Sequence, residues 1–121
     1  MATVAVTTKD FEQTISDNEL VLVDFWATWC GPCRAFGPVF EKASEANPDI
    51  VFAKVDIDEN QELATAAGIQ AVPTLMITKK GQVVFKQAGA LRASDLDDLI
   101  AQARGLDVNA APAAAEEQAA E

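Results

Sequence analysis

Histidine is absent from this chain. That absence removes Cys–His nucleophilic catalysis, imidazole proton shuttling and His-ligated zinc together. Acid–base chemistry is left to Asp, Glu, Lys and Cys. Cysteine is scarce too, with only Cys30 and Cys33 present. With no further thiol and no imidazole, a closed four-ligand zinc or iron–sulfur site cannot be assembled within one molecule. Positive charge is also in short supply, since 9 Lys and Arg stand against 19 Asp and Glu for a formal net charge of -10. So acidic a surface repels phosphate backbones and anionic lipid, and neither nucleic acid nor membrane is an expected partner. No apolar run approaches the roughly 20 residues that span a bilayer. The opening MATVAVTTKD has no basic region followed by an apolar one, so it does not read as a secretory signal. The expectation is a cytoplasmic monomer.

What is present suffices for one domain. Half of the 121 residues are hydrophobic, enough for a core that needs no disulfide or metal to hold it. After Arg104 the composition shifts to Ala, Pro and Glu, and the last acids (Asp107, Glu116, Glu117, Glu121) meet no Lys or Arg. We therefore expect a domain over 1–106 and an acidic, Ala-rich flexible tail over 107–121. Within that tail, 113–121 is too short to form a stable helix alone.

Periodicity sets out the elements. Val4–Val6 reads as a short strand, and Thr8 as the N-cap of a helix over Lys9–Ser16 with Phe11 and Ile15 on one face. Leu20–Ala27 is nearly all apolar, as in a strand buried on both faces. Residues 31–46 suit a helix whose stripe is Ala35, Phe36, Val39, Phe40 and Ala43, kinked at Pro38. Ile50–Val55 is the next strand, followed by an acidic turn and a helix over Asn60–Ala67 that Gly68 ends. Thr74–Thr78 and Gln82–Lys86 form a hairpin through Lys79-Lys80-Gly81, and a last helix starts at Ser94 with Leu96, Leu99, Ile100 and Ala103 inward. The order β-α-β-α-β-α-β-β-α predicts an α/β fold, a mixed sheet with helices on both sides.

Both cysteines lie in Trp29-Cys30-Gly31-Pro32-Cys33, between a buried strand and a helix start. Two intervening residues bring the sulfurs within disulfide reach around the first helical turn. The unpaired N–H groups and partial positive charge of the helix N-terminus favour thiolate at Cys30. Pro32 costs little there, because its missing N–H has no helical partner to lose. An inert buried pair and a structural disulfide are the alternatives, but the strand-to-helix setting is the one in which C-x-x-C reads as redox-active. Cys30, ahead of the helix, is expected to be the more exposed of the two. Asp24 is the one charge between Leu20 and Trp29, and apolar neighbours should raise its pKa.

The segment Asp24-Phe25-Trp26-Ala27-Thr28-Trp29-Cys30-Gly31-Pro32-Cys33 resembles the active site of thioredoxins of the bacterial type. So do Phe52-Ala53-Lys54-Val55-Asp56, Gly68-Ile69-Gln70-Ala71-Val72-Pro73-Thr74 and Gly89-Ala90. The resemblance runs from residue 3 to about 104. It implies a five-stranded mixed sheet with four helices, and a protein-disulfide reductase and electron carrier that binds no cofactor of its own. Electrons would come from NADPH through a thioredoxin-reductase-type flavoprotein and pass to many disulfide-containing proteins. Cys30 would attack, Cys33 would resolve, and Gly31 and Pro32 would tune the potential. Asp24 would sit behind Cys33 and move its proton, with Lys54 modulating that charge. Pro73 would follow a cis bond, packed with Val72 beside the sulfurs. Trp29, Gly31, Pro32, Val72, Pro73, Gly89 and Ala90 would form a flat docking face. Two rival functions are an oxidant that inserts or shuffles disulfides, and a binding module in which the cysteines are incidental.

Overall fold

A computed structural model describes residues 2–108, so of the expected tail only Asp107 and Val108 fall within it. Nine elements follow in the expected order: β1 Thr3–Ala5, α1 Phe11–Asp17, β2 Leu20–Trp26, α2 Gly31–Ala46, β3 Val51–Asp56, α3 Gln61–Ala66, β4 Thr74–Lys79, β5 Gln82–Ala88 and α4 Ala93–Gly105. The sheet order is β1-β3-β2-β4-β5. β3 pairs in parallel with β1 and β2, while β4 runs antiparallel to both β2 and β5. The strands with most to bury, β2, β3 and β4, therefore lie inside the sheet, and of these β2 and β3 run side by side in the same direction. Their C-terminal ends, at Trp26 and Asp56, open on one edge of the fold.

Side chains alternate across the sheet and feed two cores. Leu20, Leu22, Phe52, Leu75 and Ile77 meet Phe36, Phe40 and Ala43 of α2 and Leu96, Ile100 and Ala103 of α4. Val21, Val23, Phe25, Ala53, Val55 and Met76 meet Phe11 of α1 and Leu63 of α3 on the other side. Phe40 packs edge-on to Phe52 with ring centroids 5.2 Å apart, and each such buried ring contributes about 1.5–3 kcal/mol.

Several local expectations shift. Asp10, not Thr8, precedes α1, because the Asp10 carboxylate turns back to accept from Thr7 N at 2.6 Å and Thr8 N donates to Asn60 Oδ1 at 2.9 Å. α4 starts one residue before Ser94, after Arg92, with no side-chain cap. Ala35 is exposed although it stands in the apolar stripe of α2, while that helix keeps the expected span with Pro38 inside it. The hairpin turn places Lys80 and Gly81 at φ 52° and 80°, both left-handed as a two-residue loop between twisted strands requires.

Candidate active site

The link from β2 to α2 builds the site. Ala27 O accepts from Cys30 N at 3.3 Å, which turns the chain so that Cys30, with extended backbone at φ -94° and ψ 114°, becomes the N-cap of α2. Pro32 stands in the first turn, where no intrahelical bond is lost. Cys30 and Cys33 are joined in a disulfide with Cα atoms 5.3 Å apart. The Cys33 backbone N–H donates to Cys30 Sγ at 3.1 Å. One of the orphan donors at the helix start is thus aimed at the sulfur that would carry charge on reduction, a contact that favours thiolate.

The expected order of exposure is not found: Cys30 is 4% exposed and Cys33 7%. As N-cap, Cys30 folds its side chain back over the helix start, with Sγ 3.5 Å from Val72 O. Ala27, Val72, Ile57 and Trp26 pack around the pair. Trp29, by contrast, stands 65% exposed, its indole Nε1 donating to Asp58 Oδ2 at 2.9 Å.

The peptide bond between Val72 and Pro73 is cis. Pro73 O accepts from Gly89 N at 2.8 Å, and Gly89 takes φ 111°, which a side chain would strain. This bond brings the Gly89–Ala90 loop to the cis-proline loop. Val72 is half-buried and Pro73 buried, while Gly31, Pro32, Gly89 and Ala90 are exposed. Of the residues expected to form a docking face, Pro73 is therefore reached only through its neighbours and not as a surface ring.

Asp24 lies in β2 opposite Lys54 of β3 and Leu75 of β4. Alternation from Leu20 and Leu22 puts it on the α2 side of the sheet. It is 1% exposed, and neither carboxylate oxygen has a hydrogen-bond partner among the described residues. Burial pushes its pKa up to about 6, against the opposing pull of the Lys54 charge. Lys54 places its ammonium 5.2 Å from the centre of the Trp26 ring. Together with Cys33, Arg34 and Gly37 these two residues line a cavity of about 320 Å³.

Residues 2–102 match the Thioredoxin family profile. The chain belongs to the thioredoxin family. It is 55% identical to "Putative thioredoxin 2" of Streptomyces coelicolor over 99% of this chain and 90% of that protein. It is 44% identical to the thioredoxin of Listeria monocytogenes over 78% of this chain and 92% of that one. Among solved structures, a point mutant of a Halobacterium salinarum thioredoxin superposes with a TM-score of 0.79 at 39% identity, covering 87% of this chain and 92% of that one. Family and geometry together make the chain a thiol–disulfide oxidoreductase whose redox group is the Cys30–Cys33 disulfide. No cluster of potential metal ligands occurs among the described residues, and no helix there is long and apolar enough to cross a membrane.

Sequence reasoning missed Asp58 and Asn60. Asp58 N donates to Asp56 Oδ1 at 2.9 Å, which turns the chain and presents the Asp58 carboxylate to Trp29. The buried Asn60 amide donates to Asp56 O at 3.0 Å and accepts from Thr8 N, fixing that turn to the loop before α1. Asp followed by Asp and Asn at i+2 and i+4 is a turn signal, but nothing local says which indole it receives.

Proposed function

We propose that this protein is a cytoplasmic, monomeric protein-disulfide reductase of the bacterial thioredoxin type. It would be recharged by a thioredoxin-reductase-type flavoprotein that draws on NADPH. The observation that carries the reading is the Cys33 N–H aimed at Cys30 Sγ at the N-terminus of a 16-residue helix. This arrangement stabilises the thiolate of the attacking sulfur.

In the proposed cycle the Cys30 thiolate attacks one sulfur of a target disulfide. The S–S bond of the target breaks, its second sulfur leaves as thiolate, and a mixed disulfide forms. Cys33 then loses its thiol proton and attacks Cys30 Sγ, releasing the other target sulfur as thiolate and closing Cys30–Cys33. Two electrons have moved to the target. The proton of Cys33 passes to the Asp24 carboxylate, whose pKa of about 6 leaves it mostly ionised at neutral pH yet basic enough to accept. Lys54 holds that pKa from rising further. Gly31 and Pro32 set the stiffness of the link between the sulfurs. Target chains lie across Trp29, Gly31, Pro32, Val72, Pro73, Gly89 and Ala90, with the Val72 backbone pairing to the extended target.

Two measurements test this. Cys33→Ser should accumulate covalent target complexes through Cys30, whereas Cys30→Ser should form none; full turnover by Cys33→Ser would overturn the assignment. The potential of the pair should fall near the value usual for reducing members of the family, about −270 mV. A value near −120 mV, typical of strong oxidants, would reverse the direction of electron flow.

A further inference from the structure

The cavity on the α2 side of the disulfide has a chemistry of its own. It is lined by Trp26, Ala27, Thr28, Cys33, Arg34, Gly37 and Lys54, and it does not include Cys30, Trp29, Val72 or Pro73. The Cys30 sulfur faces the Val72 carbonyl, whereas Cys33 and not Cys30 belongs to the lining of this groove. The docking face lies on the Cys30 side and this groove on the Cys33 side.

Three observations bear on what would occupy it. The first is charge. In a chain with 9 basic residues against 19 acids, four of the cations are committed elsewhere. Lys79 bonds carbonyls at the end of α4, Lys86 bonds that of Ala67 just past α3, and Arg92 and Arg104 pair with Asp95 and Asp49. Arg34 and Lys54 converge on one groove whose lining holds no carboxylate. Among the described residues neither forms an ion pair: Arg34 Nη2 donates to Thr28 O at 3.3 Å and Lys54 lies over Trp26. Asp24 acts on Lys54 from inside the sheet but is sealed off from the groove, and Asp56 is turned to Asp58 N.

The second observation is the floor. Gly37 stands in mid-helix, where glycine costs about 1 kcal/mol relative to alanine. A Cβ built there meets nothing within 4 Å. Pro38 follows, and its ring crowds the Cβ of any helical residue before it, which by itself favours glycine at 37; beyond those chain neighbours, what the missing side chain leaves open is the groove. The third is size and polarity. About 320 Å³ is at the small end of ligand sites, and the Trp26 indole supplies an apolar wall beside the cations.

We propose that this groove binds a small organic carboxylate, its anionic end shared by Lys54 and Arg34 and its apolar body seated over Gly37 against Trp26. The site goes beyond the redox reading and does not depend on the direction of electron flow. Its ligand reaches Cys33 while leaving the docking face open.

Benzoate is a suitable probe. Titrated into the oxidised full chain and followed by amide and indole NMR shifts, it should saturate with Kd on the order of 1 mM. The shifts should be confined to Trp26, Cys33, Gly37 and their neighbours. Benzyl alcohol, its neutral counterpart, should produce none of them. Arg34→Gln should weaken binding about 5-fold, as loss of one charged hydrogen-bonding partner does. Gly37→Leu should abolish it by filling the floor, with the fold checked by circular dichroism because a side chain before Pro38 is crowded by the proline ring. A response that does not saturate, equal shifts with benzyl alcohol, shifts centred on Trp29 and Val72, or unchanged affinity in both variants would each overturn the site. A blocked glutamyl peptide binding ten times more tightly than benzoate would overturn the small-molecule assignment in favour of an acidic side chain of a partner protein.

Discussion

Two buried ionisable residues, Asp24 and Lys79, lie on the same face of the sheet at its opposite ends, and they are treated in opposite ways. Lys79, 6% exposed, gives its ammonium to three carbonyls at the end of α4: Ala103 O at 2.8 Å, Arg104 O at 2.9 Å and Leu106 O at 2.7 Å. Every donor is used and the helix C-terminus gains a cation where its dipole wants one. Asp24, 1% exposed, has no hydrogen bond on either oxygen. A fully bonded buried charge is a fastener. An unbonded one changes protonation easily, and in an oxidoreductase that ease is useful. The difference separates a rigid end of the molecule from a reactive one.

Removing the fastener should have the larger effect. Lys79→Met strips three acceptors of their donor next to the buried Ile100 and Ala103, and should cost about 4 kcal/mol in urea denaturation. Hydrogen-exchange protection should be lost first in the last turns of α4, with the reduction potential unchanged. Stability equal to that of the parent chain would break the comparison from one side. Asp24→Asn tests the other side. The folded-state pKa of Asp24, about 6, lies above its ordinary 3.8, so the folded form holds the proton more tightly. Stability therefore falls as pH rises from about 4 to 6, and the cost of the buried charge is complete above that window. The variant should be about 3 kcal/mol more stable at pH 7 and no more stable at pH 3.5. If Asp24 serves Cys33, its mixed disulfides should also resolve more slowly.

This contrast was only half legible in the sequence. Asp24 stands out because a single acid interrupts the apolar run Leu20–Trp29, and its raised pKa follows from that setting alone. Lys79 gives no such signal, since it reads as the start of a Lys-Lys-Gly turn and its acceptors lie 24 to 27 residues away. The same limit applies elsewhere. The order of elements and the two cores follow from periodicity, and the place of the Cys pair follows from a strand ending just before a helix. Helix starts at Asp10 and Arg92 do not, because Thr8 is occupied by Asn60 from another loop and Ser94 makes no cap. The exposure of the cysteines depends on the Val72 loop folding over Cys30, a contact made 42 residues along the chain.

The smallest effect is expected at the rim of the reactive end, where Asp58 holds the Trp29 indole at 2.9 Å. Both groups are exposed, so water competes for the bond and its net worth is about 0.5 kcal/mol. Asp58→Ala should leave global stability within about 0.5 kcal/mol. It should also leave the Cys30–Cys33 potential alone, because the contact between Cys33 N–H and Cys30 Sγ is untouched. What it frees is the Trp29 ring, which on the proposed docking role then has to be ordered each time a target binds. The cost should appear as a rise in KM for a protein disulfide of about 5-fold, with kcat preserved and small disulfides reduced as before. Were kcat to fall with KM unchanged, the indole would belong to the chemistry at the sulfurs, and the boundary between a reactive centre and its docking rim would have to be redrawn to include Trp29.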